Sequence, residues 1–228
     1  MKSLKVLSVT LTLLLFVAAS ANAIEVKNKL AIAPFGGLVI PIGDAADNDP
    51  TNEKALGAKT GFCFGGNAEY GLTENVVVGG RFGYNKFGFD EDMELFEETT
   101  FDGSKWTVLE FGAYLKLLMS AGSNTRPYVR GGVMAGKAKF SADAETELGS
   151  GEIELDVATA LGLEGGVGVM HMFSDKIAGF AEGTINHLMT DGKDAEILVD
   201  GETFLEGEAD GNVQWIAARA GLIIFVGK

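Results

Sequence analysis

The sequence predicts an all-β fold: an eight-stranded antiparallel up-and-down transmembrane β-barrel with short periplasmic turns and long acidic extracellular loops. Three observations carry that reading. Eight runs alternate between a more apolar and a more polar or small set, with the period of two that a barrel wall requires. The connections between them alternate between short and long, as in outer-membrane barrels. Acidic residues are concentrated in the long connections, where four loops hold 25 of the 32 Asp and Glu. A water-soluble sandwich has no reason to segregate charge to alternate loops while leaving one face of each strand almost free of it.

Residues 1–23 stand apart from this pattern. Lys2 and Lys5 precede an apolar run over 6–18, and Ala21-Asn22-Ala23 follows as a cleavage site, so the segment reads as a secretory signal peptide. The run is too short for a membrane helix, which needs about 20 residues. One domain is expected over 24–228. Removing the two leader lysines makes the net charge of −14 more negative still. That balance excludes nucleic acid as a partner, because phosphate binding needs a basic stripe.

The runs follow in order. The first covers 30–42 and ends in Pro41-Ile42-Gly43-Asp44, after which a polar loop extends to about residue 59. The second and third, 60–70 and 76–87, form a hairpin across Gly71-Leu72-Thr73-Glu74. An acidic loop over 88–104 leads to the fourth run, 106–118, which turns through 120–125 into the fifth, 127–140. Residues 143–156 keep alternating on both sides of Gly149-Ser150-Gly151, so the hairpin is expected to continue above the membrane. The sixth run, 157–173, turns at Ser174-Asp175-Lys176 into the seventh, 177–190. The last long loop, 191–212, contains an Asp200-Gly201 hairpin signal and is expected to be partly strand. The eighth run covers 213–226.

Alternation also assigns faces. In the fourth run, Leu109, Phe111, Ala113, Leu115 and Leu117 form the lipid set, and Val108, Glu110, Gly112, Tyr114 and Lys116 the interior set. A charge on the lipid side near the midplane costs roughly 2–4 kcal/mol. The same rule sends Glu69, Arg81, Arg130, Glu164, Glu182 and Arg219 inward. Four acids and four bases therefore share a bore only wide enough for side chains to fill, and charges withdrawn from water must be paired. A salt-bridged internal plug is the expected arrangement, with Glu69 and Arg130, beside short turns, at the rim in water. Tyr70, Tyr128 and Phe173 lie beside the short turns, and Phe87, Trp106, Phe140 and Trp215 beside the long loops, which predicts two interfacial aromatic girdles.

Several stretches resemble the small eight-stranded outer-membrane β-barrel family of the OmpA and OmpX type. They are Pro41-Ile42-Gly43-Asp44, Tyr70-Gly71-Leu72-Thr73-Glu74-Asn75 with Gly79-Gly80-Arg81-Phe82-Gly83-Tyr84, Arg126-Pro127-Tyr128-Val129-Arg130-Gly131-Gly132, and Arg219-Ala220-Gly221-Leu222-Ile223-Ile224-Phe225. The resemblance implies the fold and a bacterial outer-membrane location. It does not transfer an activity, because the family includes anchors, adhesins, narrow channels and a few lipid-modifying enzymes. Two departures stand out. The family's last strand usually ends on an aromatic, whereas here Val226-Gly227-Lys228 follow Phe225, and no peptidoglycan-binding domain is expected after the barrel, so a wall-anchoring role is not expected either.

Catalytic chemistry has little to draw on. The two histidines are His171 and His187, and the same-face neighbour of His187 is Met189 where an acyl hydrolase would want Ser. Cys63 has neither a partner thiol nor a basic sequence neighbour and reads as a small wall residue. The acidic loops offer oxygens suited to divalent cations, yet none has the calcium-loop spacing, and a solvated surface is the preferred reading. No enzyme, cofactor, catalytic set or metal-ligating set is expected. The expected partners are outer-membrane lipid and lipopolysaccharide, with a monomer favoured. Two functions compete: a filled structural or surface-interaction barrel that meets partners through its loop hairpins, and a narrow cation-preferring channel.

Overall fold

Period-two alternation closes into a wall because each strand satisfies its backbone polar groups on both neighbours, leaving no edge inside lipid. The computed structural model describes residues 26–49, 51–52, 54–89, 100–120, 123–146 and 149–226. The segment expected to be a signal peptide, 1–23, and the most acidic part of the second long loop, 90–99, lie outside the described residues.

Among the described residues, eleven strands make up one antiparallel sheet. They are β1 (Leu30–Ile42), β2 (Ala58–Gly71), β3 (Val76–Phe89), β4 (Thr100–Leu118), β5 (Thr125–Thr146), β6 (Gly149–Val157), β7 (Ala160–Ser174), β8 (Ile177–Leu188), β9 (Lys193–Val199), β10 (Glu202–Ala209) and β11 (Val213–Val226). Eight of them, β1–β5, β7, β8 and β11, form the barrel, which β5–β7 pairing closes. The first and last sequence runs coincide with β1 and β11, while the fourth and fifth extend well beyond their predicted outer ends.

The three remaining strands stand above the barrel. β6 pairs with the upper part of β5 and with β9, and β9 pairs with β10, so both predicted loop hairpins fuse into one extracellular sheet. The sixth run, predicted as continuous over 157–173, is broken between β6 and β7. Lys139 pairs with Asp156 and Gly136 with Ala160, so β5 spans this step in one residue fewer than its partner. The extra residue acts as a bulge, and Ala158 N–H donates to Asp194 O at 2.8 Å, away from β5.

Both mouths are occupied by the chain itself. At the periplasmic end Val26 is buried, Asn28 N–H donates to Gly71 O at 2.7 Å, and Gly71 N–H donates back to Lys29 O at 3.1 Å. At the outer end a 3-10 turn, Gly43–Ala46, brings the first loop over the bore. Lys54 pairs there with Asp191 at 3.1 Å, which ties this loop to the base of the last one. The Gly211 amide and the Lys54 ammonium together hold the Asp191 carboxyl below its usual range, and Asp191 raises Lys54 in turn.

Candidate functional site in the barrel interior

All eight charges assigned inward by alternation are buried in the bore. Six of them form a closed ring across it. Arg81 on β3 lies 3.1 Å from Glu110 on β4 and also contacts Glu164 on β7. Glu164 is 2.6 Å from Arg130 on β5, which is 3.0 Å from Glu182 on β8. Arg219 on β11 reaches Glu182 at 3.8 Å and Glu110 at 3.4 Å, closing the circuit. Three bases and three acids alternate around the ring, so each charge has an opposite neighbour on both sides and the net charge is zero. Ring side chains are at most 1% exposed.

The other two charges, Glu69 and Lys116, pair with each other just below. Their attachment to the ring depends on two tyrosines. Lys116 and Arg130 are direct cross-strand partners, an arrangement in which like charges repel. Tyr114, on the lysine's strand, places its ring 3.7 Å from the Arg130 guanidinium, and Tyr128, on the arginine's strand, lies 4.7 Å from the Lys116 ammonium. Each ring face attracts the cation it covers. The tyrosine hydroxyls then reach the acids: Tyr114 donates to Glu69 at 2.5 Å and Tyr128 to Glu182 at 2.9 Å. Glycine provides the room, since a Cβ on Gly79 would collide with the Tyr114 ring and one on Gly168 with that of Tyr128.

Two expectations are corrected here. Glu69 and Arg130 are not water-exposed rim charges, because Val26, Val77, Leu118 and Met170 pack below them and seal that end. The outer aromatic girdle is also not on the lipid face: Phe87, Trp106, Phe140 and Trp215 are all buried inside the mouth, and Tyr128 is buried beside the ring. Tyr70 and Phe173 do face outward. The four mouth aromatics form a floor over the bore, with Phe87 and Trp215 centroids 6.1 Å apart and Trp106 and Phe140 5.3 Å apart. Trp106 Nε1–H donates to Leu56 O at 2.8 Å, fastening the first loop to that floor.

The signal for these residues was present in the alternation. Phe87 shares parity with Arg81, Trp106 with Glu110, Phe140 and Tyr128 with Arg130, and Trp215 with Arg219. Chain height alone predicts a girdle; parity within each strand points inward.

Little space remains. A pocket beside Glu69 and Lys116 and another between Trp106 and Leu56 each offer about 10 Å³, roughly one water's worth. Among the described residues no three His, Cys, Asp or Glu side chains are arranged to hold a metal ion. His171 accepts or donates a 2.7 Å hydrogen bond with Thr125 Oγ1 beside the short turn, and His187 lies at the opposite end of the wall.

No curated protein matches the chain in sequence. Among solved structures it is similar in fold to a major outer membrane protein from Thermus thermophilus, with a TM-score of 0.59, 12% identity, and coverage of 87% of this chain and 98% of that one. OprG from Pseudomonas aeruginosa gives a TM-score of 0.52 and 14% identity over 90% of this chain and 98% of that one. Neisserial surface protein A gives 0.50 and 13%, over 86% and 96%. The model of the outer membrane protein beta-barrel domain matches residues 9–207, and the chain belongs to that family of bacterial outer-membrane proteins.

Proposed function

We propose that this protein is a non-enzymatic, closed outer-membrane barrel whose work is done outside the bore, as a structural element and as a surface for interaction through its acidic extracellular sheet. The observation that carries this reading is the ring of Arg81, Glu110, Arg219, Glu182, Arg130 and Glu164, which crosses the interior with every charge compensated. An ion passing this level would have to displace paired charges that have already left water. The aromatic floor above and Val26 below add two further obstructions. The extracellular sheet supplies the interaction surface: among the described residues β10 pairs only with β9, so its other edge is open for strand addition.

Planar-bilayer recording of the purified full chain tests the reading. The parent protein is expected to be silent, and Arg81→Ala to give measurable conductance or a less stable barrel. Steady cation-selective openings by the parent protein would support the narrow channel instead.

A further inference from the structure

The extracellular sheet ends as if one strand were missing. Residues directly opposite each other in neighbouring strands lie on the same face, so the registers define rows that run from β5 across β6 and β9 to β10. One row is Phe140, Leu155, Ile197 and Leu205. It begins in the buried mouth of the barrel and ends on the open edge, where Leu205 is 56% exposed. The neighbouring row, on the other face, is Lys139, Asp156, Glu196 and Glu206. That row starts on a base and ends on acids.

Charge on this second face is answered at one side and not at the other. Lys137 pairs with Asp156 and Lys139 with Glu154, so two acids of β6 are compensated from β5. Between β9 and β10, Glu196 stands opposite Glu206 and Asp194 opposite Glu208, and like charges directly opposite one another repel. None of these four acids has an ion-pair partner among the described residues. The apolar side of the edge is equally incomplete. Phe204, where the β9–β10 register shifts, is 76% exposed next to Leu205. β10 carries neither lysine nor proline, the residues that commonly guard an edge against pairing.

We propose that β10 takes up, as a further strand, an extended segment of another protein in which lysine or arginine alternates with apolar residues. Period two sends successive side chains of such a segment to opposite faces. Its bases then stand against Glu206 and Glu208, and its apolar residues extend the row that ends at Leu205. Backbone pairing supplies affinity, and the two unlike faces supply selectivity. A second copy of this chain does not meet these demands, because copies in one membrane hold β10 in the same direction and would set acid against acid. The proposal rests on the reading of the extracellular sheet as the working surface, and it is independent of whether the bore conducts.

Fluorescence anisotropy of short labelled peptides, titrated with the full chain in lipid nanodiscs, tests the edge. A peptide of alternating lysine and valine is expected to bind, and hydrogen exchange should show new protection of β10 amides over 202–209. A peptide of alternating glutamate and valine should not bind, nor should the lysine–valine peptide N-methylated at every second residue, which keeps its charge and loses its backbone donors. E206K/E208K should weaken the lysine–valine peptide about tenfold, through two lost ion pairs and two new like-charge contacts, and E206Q/E208Q should fall between it and the parent. Heat-modifiable gel migration reports that each variant is folded. No binding of the lysine–valine peptide, equal binding of its N-methylated form, or unchanged binding by folded E206K/E208K would overturn the proposal. A parent protein that conducts and also binds the peptide would overturn the closed bore and support this edge, and a silent parent that binds nothing would do the reverse.

Discussion

Acidic residues in the bore and in the extracellular sheet have the same chemistry and opposite surroundings. Inside, Glu110, Glu164 and Glu182 each face two arginines, with side chains at most 1% exposed. Outside, Glu202, Glu206 and Glu208 on β10 are exposed, and no Lys or Arg occurs between Lys193 and Arg219. Water compensates the outer set at little cost, while only a counter-charge can compensate the inner one. Burial in this molecule therefore demands pairing, whereas exposed charges stand paired, as Lys54 and Asp191 do, or alone in solvent.

That contrast can be broken most strongly from the inside. Glu182→Ala removes the partner of both Arg130 and Arg219 and the acceptor of Tyr128. A loss of about 3–5 kcal/mol is expected, the usual result of stranding a buried charge, read as the midpoint of urea unfolding in lipid vesicles. Glu206→Ala on β10 is the matching outside change and should leave that midpoint where it is. A smaller effect sharpens the role of the tyrosines. Tyr128→Phe keeps the ring over Lys116 and deletes only the hydroxyl bond to Glu182, with an expected loss of about 1–3 kcal/mol in the same assay.

The smallest effect belongs to the exposed latch between Lys54 and Asp191, and it is visible in pH dependence. Asp191 is held low by the Gly211 amide and by Lys54, so its contribution is complete above the ordinary value of about 3.9 and fades as pH falls through the lowered one. Lys54 is raised by Asp191, so its share is complete below about 10.4 and is lost as pH rises through the raised value. Hydrogen-exchange protection of the Gly211 amide should therefore be flat from mildly acidic to mildly basic pH and drop at both extremes. The global unfolding midpoint should follow neither drop.

How much of this was legible in advance differs by element. The bounds of β1 and β11 and the inward set of eight charges could be read from period two and the cost of charge in lipid. The aromatic floor is legible in parity, but position beside a long loop points the other way, toward lipid, and the packing in the mouth follows parity. The break after Val157 was not legible: the alternation continues through it, and it exists because β6 has a second partner, β9.

The sequence by itself determined the wall, the sides its residues take, the alternation of loops and the balance of interior charge. Those properties depend on spacing along one chain and on the energy of transfer out of water, which each residue carries with it. Only the tertiary structure decided which charges meet. Glu110 joins Arg81 and Arg219, and Glu69 joins Lys116, because strand register and barrel closure set the heights of residues distant in the chain. The same closure turns Trp106 and Trp215 into a floor under the first loop and lets Tyr114 and Tyr128 separate two neighbouring cations. Register is a property of pairs of strands, so no single run of residues contains it.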